Sequence, residues 1–378
     1  MHLSRVALIG TGLIGGSIGL ALRQRRPGAE VVATDASPDE AALALARGAC
    51  TRVATTAAEA AARSDLVIVA VPTGAVAGVL REIAPALAPG AVVTDVASVK
   101  GPIVRAAAET LPPEATFVGG HPMAGAERGG MAHADALLFE NAVYVLTPLA
   151  DGPRDGEREP GSPPAPEASG VAPRALALVE AVGARAVAMD ADRHDAVVAA
   201  VSHLPQLLAV ALVQHAAETG DDALALAAGG FRDMTRIASS PFGMWGDILT
   251  ANRDAVLDAL DAFAGGLDRL REAVGAGEVA ALRAAFEGGA AVRSEIPSYS
   301  KGFLAPLAEV TLWAEDRVGF LAGVTGALAA AGLNVKDVEL LRVREGEGGA
   351  FRLAFADGPT AEAALGVLRA RGHRAERR

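Results

Sequence analysis

The sequence predicts an α/β chain with a doubly wound parallel sheet at its N-terminal end, an all-helical middle and a small α+β unit after it. Three observations carry that expectation. Short apolar runs alternate with helical ones up to about residue 150, the helical period dominates from Pro173 to about Ser294, and beyond a loop at Pro297–Gly302 strand-like alternation returns. Short apolar strands separated by helices imply a parallel sheet covered on both faces.

In order, Arg5–Gly10 reads as a strand, Leu13–Arg25 as an amphipathic helix, and Glu30–Thr34 as a second strand ending at Asp35. Asp39–Gly48 reads as a helix closed by its glycine, and Leu66–Val71 and Ala91–Asp95 as further apolar strands. Residues 150–172 are rich in Pro, Gly and charge. Such a segment cannot bury enough surface to offset its ordering entropy, so it is expected to be a mobile surface insertion closing a first domain, 1–172. In a second domain, 173–300, Ala191–Thr219 and Asn252–Phe286 are long, alanine-rich and apolar on more than one face. Helices of that kind are buried, often against a second copy, so a homodimer is expected. A third domain, 305–378, reads as β-α-β-β-α: Glu309–Ala314, Gly319–Ala331, Val335–Arg344, Ala350–Ala356 and Thr360–Arg371.

Composition excludes several classes. The 378 residues carry a formal net charge of −11, which repels a polyphosphate backbone, so no nucleic-acid partner is expected. No uninterrupted apolar run reaches the length of a membrane span, and the N-terminus lacks the pattern of a signal peptide. The single cysteine, Cys50, rules out an internal disulfide and any site needing two thiolates of one chain, which fits a reducing, cytoplasmic compartment.

Gly10-Thr11-Gly12-Leu13-Ile14-Gly15 follows a strand and opens a helix. Gly10 permits the tight turn, Gly12 lets backbone approach a pyrophosphate, and Gly15 lets helix and strand pack closely. The N–H groups around Leu13 and Ile14 face the phosphates. This is the fingerprint of a Rossmann-type dinucleotide site. Asp35, twenty residues past Gly15, suits the ribose hydroxyls and repels a 2′-phosphate, so NAD is the expected cofactor. Ser37 and Arg52 leave NADP open. Val71 and Pro72, closing the strand at Leu66–Val71, are counted with the cofactor site.

The chemistry is expected beyond the next strands. Ser98-Val99-Lys100-Gly101 follows the strand at Ala91–Asp95, and Gly119-Gly120-His121-Pro122-Met123-Ala124-Gly125 places a histidine in a glycine-rich loop. A histidine there can accept a proton near neutral pH, as a dehydrogenase acting on an alcohol carbon requires. His194 lies nine residues before His203, half a turn out of phase on a straight helix, and reads as structural unless Pro205 distorts the helix. Arg232 and Asp233 read equally as helix braces or site residues.

These motifs, with Glu127, Ser202-His203-Leu204-Pro205, Phe231-Arg232-Asp233-Met234-Thr235-Arg236 and Met244-Trp245, occur in the order found in prephenate dehydrogenases, which the first 300 residues resemble. The resemblance implies oxidative decarboxylation of prephenate to 4-hydroxyphenylpyruvate and CO2 with NAD+ as acceptor and no metal, in tyrosine biosynthesis. It implies His121 as base, Ser98 orienting it beside the nicotinamide, Arg236 and His203 binding the substrate, and Glu127 shaping the site. Ala126, Gly129 and Gln206 depart from the usual pattern, which leaves arogenate open as a substrate. A β-hydroxyacid dehydrogenase with a catalytic lysine fits less well, since no lysine lies between Lys100 and Lys301. Intact Ser98, His121, His203 and Arg236 argue against a non-catalytic NAD- and amino-acid-sensing regulator.

The segment Glu315–Leu321 with Gly332-Leu333-Asn334 resembles an ACT domain, with Val318 where proline is usual. The resemblance implies L-tyrosine as a possible effector, near Asp316, Gly319 and Asn334, or a purely dimerising module.

Overall fold

The computed structural model describes residues 3–125, 128–149, 171–295, 307–315, 317–344 and 348–377. The expected insertion therefore lies outside the described residues, save for Val171 and Ala172. The chain divides into two compact units, residues 1–285 and 286–378.

The first unit is built on eight strands: β1 (Arg5–Ile9), β2 (Glu30–Thr34), β3 (Arg52–Val53), β4 (Leu66–Val69), β5 (Val92–Asp95), β6 (Thr116–Pro122), β7 (Val143–Pro148) and β8 (Arg185–Ala188). Their order is β3-β2-β1-β4-β5-β6-β7-β8. Strands β1 to β6 run parallel, as expected. β7 pairs antiparallel to β6, and β8 follows β7, so the last two strands run the other way. The chain leaves β1 toward β2 and returns to β4 on the other side. That switch point opens a crevice at the carboxyl ends of β1 and β4, where ligands of such sheets sit.

Alternation along the strands fills two cores. Val6, Leu8, Val31, Ala33, Leu66 and Ile68 face a core closed by Ile18 and Leu22 of helix Leu13–Arg25 and by Leu178 of helix Pro173–Ala181. Ala7, Ile9, Val32, Val67 and Val69 face the other core, with Val76, Leu80 and Ile83 of helix Val76–Ile83 and Ile103 of helix Gly101–Thr110. Successive strand residues point to opposite faces, so continuous apolar strands require both layers. Each fully buried Leu, Ile or Val contributes roughly 1.5–3 kcal/mol.

Two expectations about the middle of the chain change. Helix Pro173–Ala181 and β8 complete the sheet, so the all-helical region begins at Ala191, not at residue 173. The segment expected as one helix from Asn252 to Phe286 is two, Arg253–Ala276 and Val279–Glu295. Gly277, in the left-handed conformation at φ +68°, ends the first of them.

Residues 191–219 form one continuous helical run: Ala191–Val198, a π-helical turn at Ala199–His203, and Leu204–Thr219. By length and composition alone this run could cross a membrane, a point at which the sequence expectation was too narrow. Its polar residues His194, Asp195, His203 and Gln206 are buried against the rest of the unit.

The second unit carries β9 (Ala308–Ala314), β10 (Asp337–Arg344), β11 (Gly348–Phe355) and β12 (Ala375–Arg377), ordered β10-β11-β9-β12 and antiparallel throughout. Helices Phe320–Ala330 and Gly358–Ala370 cover one face through Val324, Leu328, Leu365 and Leu368, against Val310 and Leu312. β12 is an addition to the expected β-α-β-β-α order.

Candidate active site

The glycine loop has the predicted form. Gly10 sits at φ +94°, and a Cβ there would collide with the Ala70 carbonyl at the end of β4. A Cβ on Gly15 would land on the Gly10 carbonyl oxygen, so the helix start packs on the turn itself. Nothing lies within 4 Å of where a Gly12 Cβ would be. Gly12 caps helix Leu13–Arg25 without a side-chain hydrogen bond, and no acidic residue stands in the first turn. The early N–H groups of this helix thus have no side-chain cap at its positive end, a seat that fits a pyrophosphate.

Asp35 follows β2 beside this loop. One carboxylate oxygen accepts from the Thr11 N–H (2.6 Å) and hydroxyl (3.0 Å), the other from the Ser37 N–H at 2.8 Å. These bonds fix the carboxylate and leave lone pairs for ribose hydroxyls. A Cβ on Gly10 would also stand 3.2 Å from Val71 Cγ1, and Pro72 opens the turn after β4. The residues present fit a dinucleotide.

His121 lies near the end of β6, opposite Val145 of β7, not in a loop as expected. Below it is a buried ion pair. Lys100 and Asp95 are both fully buried, and the Lys100 ammonium contacts Asp95 Oδ2. Lys100 Nζ donates to the Gly120 carbonyl at 2.7 Å, and the Gly120 N–H donates to Asp95 Oδ1 at 3.1 Å. The pair therefore holds both sides of the Gly120 residue that precedes the histidine. Burial pulls the Lys100 pKa down, against the charge of Asp95. Ser98 stands on the loop after β5, at the same carboxyl edge, half-buried.

The helical region supplies a second set of groups. His194 Nε2 is 2.8 Å from His121 Nδ1, and His194 Nδ1 is 2.7 Å from Asp195 Oδ1. Asp195 also accepts from the Lys100 N–H (2.8 Å) and the Gly101 N–H (2.7 Å), capping helix Gly101–Thr110, which has no side-chain cap of its own. His194 is thus a site residue, correcting the structural role expected of it. The reason is the π-helical turn at Ala199–His203. Its extra residue reduces the nine-residue advance from about 180° to about 80°, so His194 and His203 come onto one side. Pro205 lacks the N–H that Val201 would bond, which favours the shifted register.

Asn252 fixes His203. Its Nδ2 donates to the Asp195 carbonyl at 2.9 Å, which orients the amide, and lies 3.2 Å from His203 Nδ1. His203 Nδ1 is then the acceptor and Nε2 carries the proton. Burial holds the His203 pKa down to about 4, and Trp245 meets its ring edge-on at 6.0 Å. Burial, then the neighbouring His194, Lys100 and His203, hold the His121 pKa well below its ordinary value. Both imidazoles are neutral at physiological pH, one suited to accept a proton and one to donate a hydrogen bond.

Arg236 is exposed at the start of the 3-10 turn Arg236–Ser239, which follows helix Gly229–Thr235. Gln206, buried, donates to the Ile237 carbonyl at 2.9 Å and ties that turn to the helix that follows His203. Arg232 donates to the Ala227 carbonyl at 3.0 Å, which is the bracing role. Glu127 lies outside the described residues. Lys100, Asp95, Asp195 and Asn252 have no role in the sequence reading, and His194 has only a structural one. The adjacent His194-Asp195 pair, upstream of His203 on one apolar helix, was the available signal.

In the second unit Gly319, in the left-handed conformation at φ +82°, opens helix Phe320–Ala330. It lines a pocket of about 470 Å³ with Glu315, Arg317, Phe320, Leu340 and Phe351. Asn334 is exposed in the loop before β10 and does not line it. Asp316 lies outside the described residues.

Comparisons with known proteins show what the chain is similar to. Residues 18–156 match the prephenate dehydrogenase nucleotide-binding domain, 190–288 the prephenate dehydrogenase dimerization domain and 308–373 the ACT domain. The chain is 32% identical to a prephenate dehydrogenase of Bacillus subtilis, over 93% of this chain and 91% of that protein. It is 32% identical to a cyclohexadienyl dehydrogenase of Zymomonas mobilis, over 71% of this chain and 88% of that protein. Among solved structures, prephenate dehydrogenase from Aquifex aeolicus in complex with hydroxyphenyl propionate and NAD+ superposes with a TM-score of 0.67 at 28% identity, over 79% of this chain and 99% of that one. Synechocystis arogenate dehydrogenase gives a TM-score of 0.65 at 27% identity, over 78% and 100%. With its Rossmann-type sheet, its helical region and its NAD-shaped glycine loop, the chain belongs to the prephenate dehydrogenase family, an NAD-dependent oxidoreductase family.

Proposed function

We propose that this enzyme converts prephenate to 4-hydroxyphenylpyruvate and CO2, with His121 as its base. The observation that carries the reading is a neutral histidine at the carboxyl edge of the sheet, its backbone clamped by Lys100 and Asp95, in a chain of this family. NAD+, when bound at the glycine loop, supplies the hydride acceptor. His121 takes the C4 hydroxyl proton as hydride leaves C4, and returns it to the phenolic oxygen once the ring is aromatic. The electron pair of the bond to the departing carboxylate enters the ring, so the step balances without net proton release. Ser98 orients the hydroxyl. His203 donates its Nε2–H to a substrate oxygen, and Arg236 offers a bidentate partner to a carboxylate. Glu127 is assigned to shaping the site.

We place the protein in the cytoplasm as a homodimer. The outer faces of helices Arg253–Ala276 and Val279–Glu295 expose Leu267, Val274, Val279, Phe286 and Val292, apolar surface that a second copy would cover. L-tyrosine is proposed as an effector at the Gly319 pocket of the second unit.

The deciding assay measures NADH formation and CO2 release with prephenate or arogenate, each with NAD+ or NADP+. No turnover with either substrate sinks the reading. The relatives that act on arogenate or cyclohexadienyl substrates make the arogenate arm informative. His121→Asn abolishes turnover and keeps NAD+ binding. A tyrosine titration, repeated with Gly319→Val, separates an effector pocket from a dimerising module.

A further inference from the structure

Which nitrogen of His121 is the base depends on the hydrogen bond made by the other. The Asp195 carboxylate is an acceptor, so His194 Nδ1, 2.7 Å from it, carries a proton. In its neutral form His194 then presents a lone pair at Nε2. That atom stands 2.8 Å from His121 Nδ1, which donates to it in this arrangement. His121 Nε2 is left bare and has no partner among the described residues. A histidine without such a neighbour favours the opposite arrangement, with its proton on Nε2.

We propose that His194 and Asp195 are positioning residues that hold His121 in its Nδ1–H tautomer, so that Nε2 is the atom that receives the substrate proton. The inference rests on the dehydrogenase reading for the identity of the proton donor, and on geometry alone for the tautomer. Asp195 is itself fixed. The Lys100 and Gly101 N–H groups hold its two oxygens, and the Asn252 amide holds its carbonyl. All three partners come from elsewhere in the fold, so the carboxylate cannot turn away from His194. The charged and titratable groups facing His121 are His194, His203 and Lys100, with Asp95 and Asp195 behind them. When His121 gains its proton, the chain through His194 ends on the Asp195 carboxylate, the arrangement by which a carboxylate steadies an imidazolium in a hydrolase triad.

The test is 15N NMR of the intact protein labelled at histidine, with the His121 signals assigned by their loss in His121→Asn, joined to steady-state kinetics. The expected spectrum has a protonated Nδ1 and a bare Nε2 at His121. His194→Leu moves the proton to Nε2 and lowers kcat on the order of 10²-fold, with KM for prephenate and NAD+ affinity little changed. His194→Gln, whose amide oxygen replaces the acceptor, recovers most of kcat. A wild-type spectrum with the proton on Nε2 overturns the proposal, as does a His194→Leu enzyme with unchanged tautomer and kcat, or a Gln variant no better than Leu. The wild-type spectrum decides even where the Leu variant does not fold. Failure of the wild-type enzyme to turn over prephenate or arogenate refutes the functional reading and leaves the tautomer measurement standing.

Discussion

Replacing Lys100 by methionine isolates the buried ion pair beneath His121. Methionine matches the length and most of the volume of the lysine stem, so the packing loss is small. The change strips the ammonium from Asp95 and the donor from the Gly120 carbonyl, both in a region with no exposure. Asp95 keeps the Ala97 and Gly120 N–H groups, at 2.9 and 3.1 Å, but no counter-charge. Breaking a buried pair by removing one partner costs about 3–5 kcal/mol. In a unit of this size that corresponds to roughly 6–10 °C in Tm. Urea unfolding of Lys100→Met measures the loss. Asp95→Asn combined with Lys100→Met recovers part of the loss, because the charge and its partner leave together. A single variant as stable as wild type, or a double variant no better than the single, would refute the account of the pair.

Three further outcomes follow from particular residues. Gly15→Ala drives its methyl into the Gly10 carbonyl and weakens NAD+ binding by about 10²-fold or more by calorimetry, equivalent to roughly 2.7 kcal/mol; an unchanged Kd refutes the close-packed turn. Asp35→Ser removes the charge facing the 2′ position and shifts the NAD+/NADP+ ratio of kcat/KM toward NADP+ by about tenfold, and a constant ratio refutes that role. His203, pushed down to about 4 by burial, gives stability that is present above about pH 6.5 and lost as pH falls toward 4, worth roughly 3 kcal/mol. His203→Gln lacks that term, so its Tm falls less between pH 7.5 and 4.5; parallel Tm curves for the two proteins would contradict the buried neutral ring.

The sequence by itself determined strands β1, β2, β4 and β5, the glycine loop and the acidic residue after β2, because these are local. Period-2 and period-3.6 patterns, a turn that only glycine fits, and a helix start are written within a few residues of each other. Residues His203 and Arg236 were also named from sequence, through a resemblance to a family and not through any local geometry. Tertiary structure alone decided the rest. The reversal at β7 and the use of Pro173–Ala188 to finish the sheet depend on where the chain returns after residue 170. The role of His194 depends on one extra residue in a π-helical turn, which rotates the upstream helix by about 100° and which no 3.6-residue pattern registers. The groups that hold the site, Asp95 with Lys100, Asp195 with Asn252 and Lys100 with Asp195, meet across five to 95 residues of chain. Hydrogen-bond partners at such separations are chosen by packing, and packing becomes defined only when the sheet and the helical region come together.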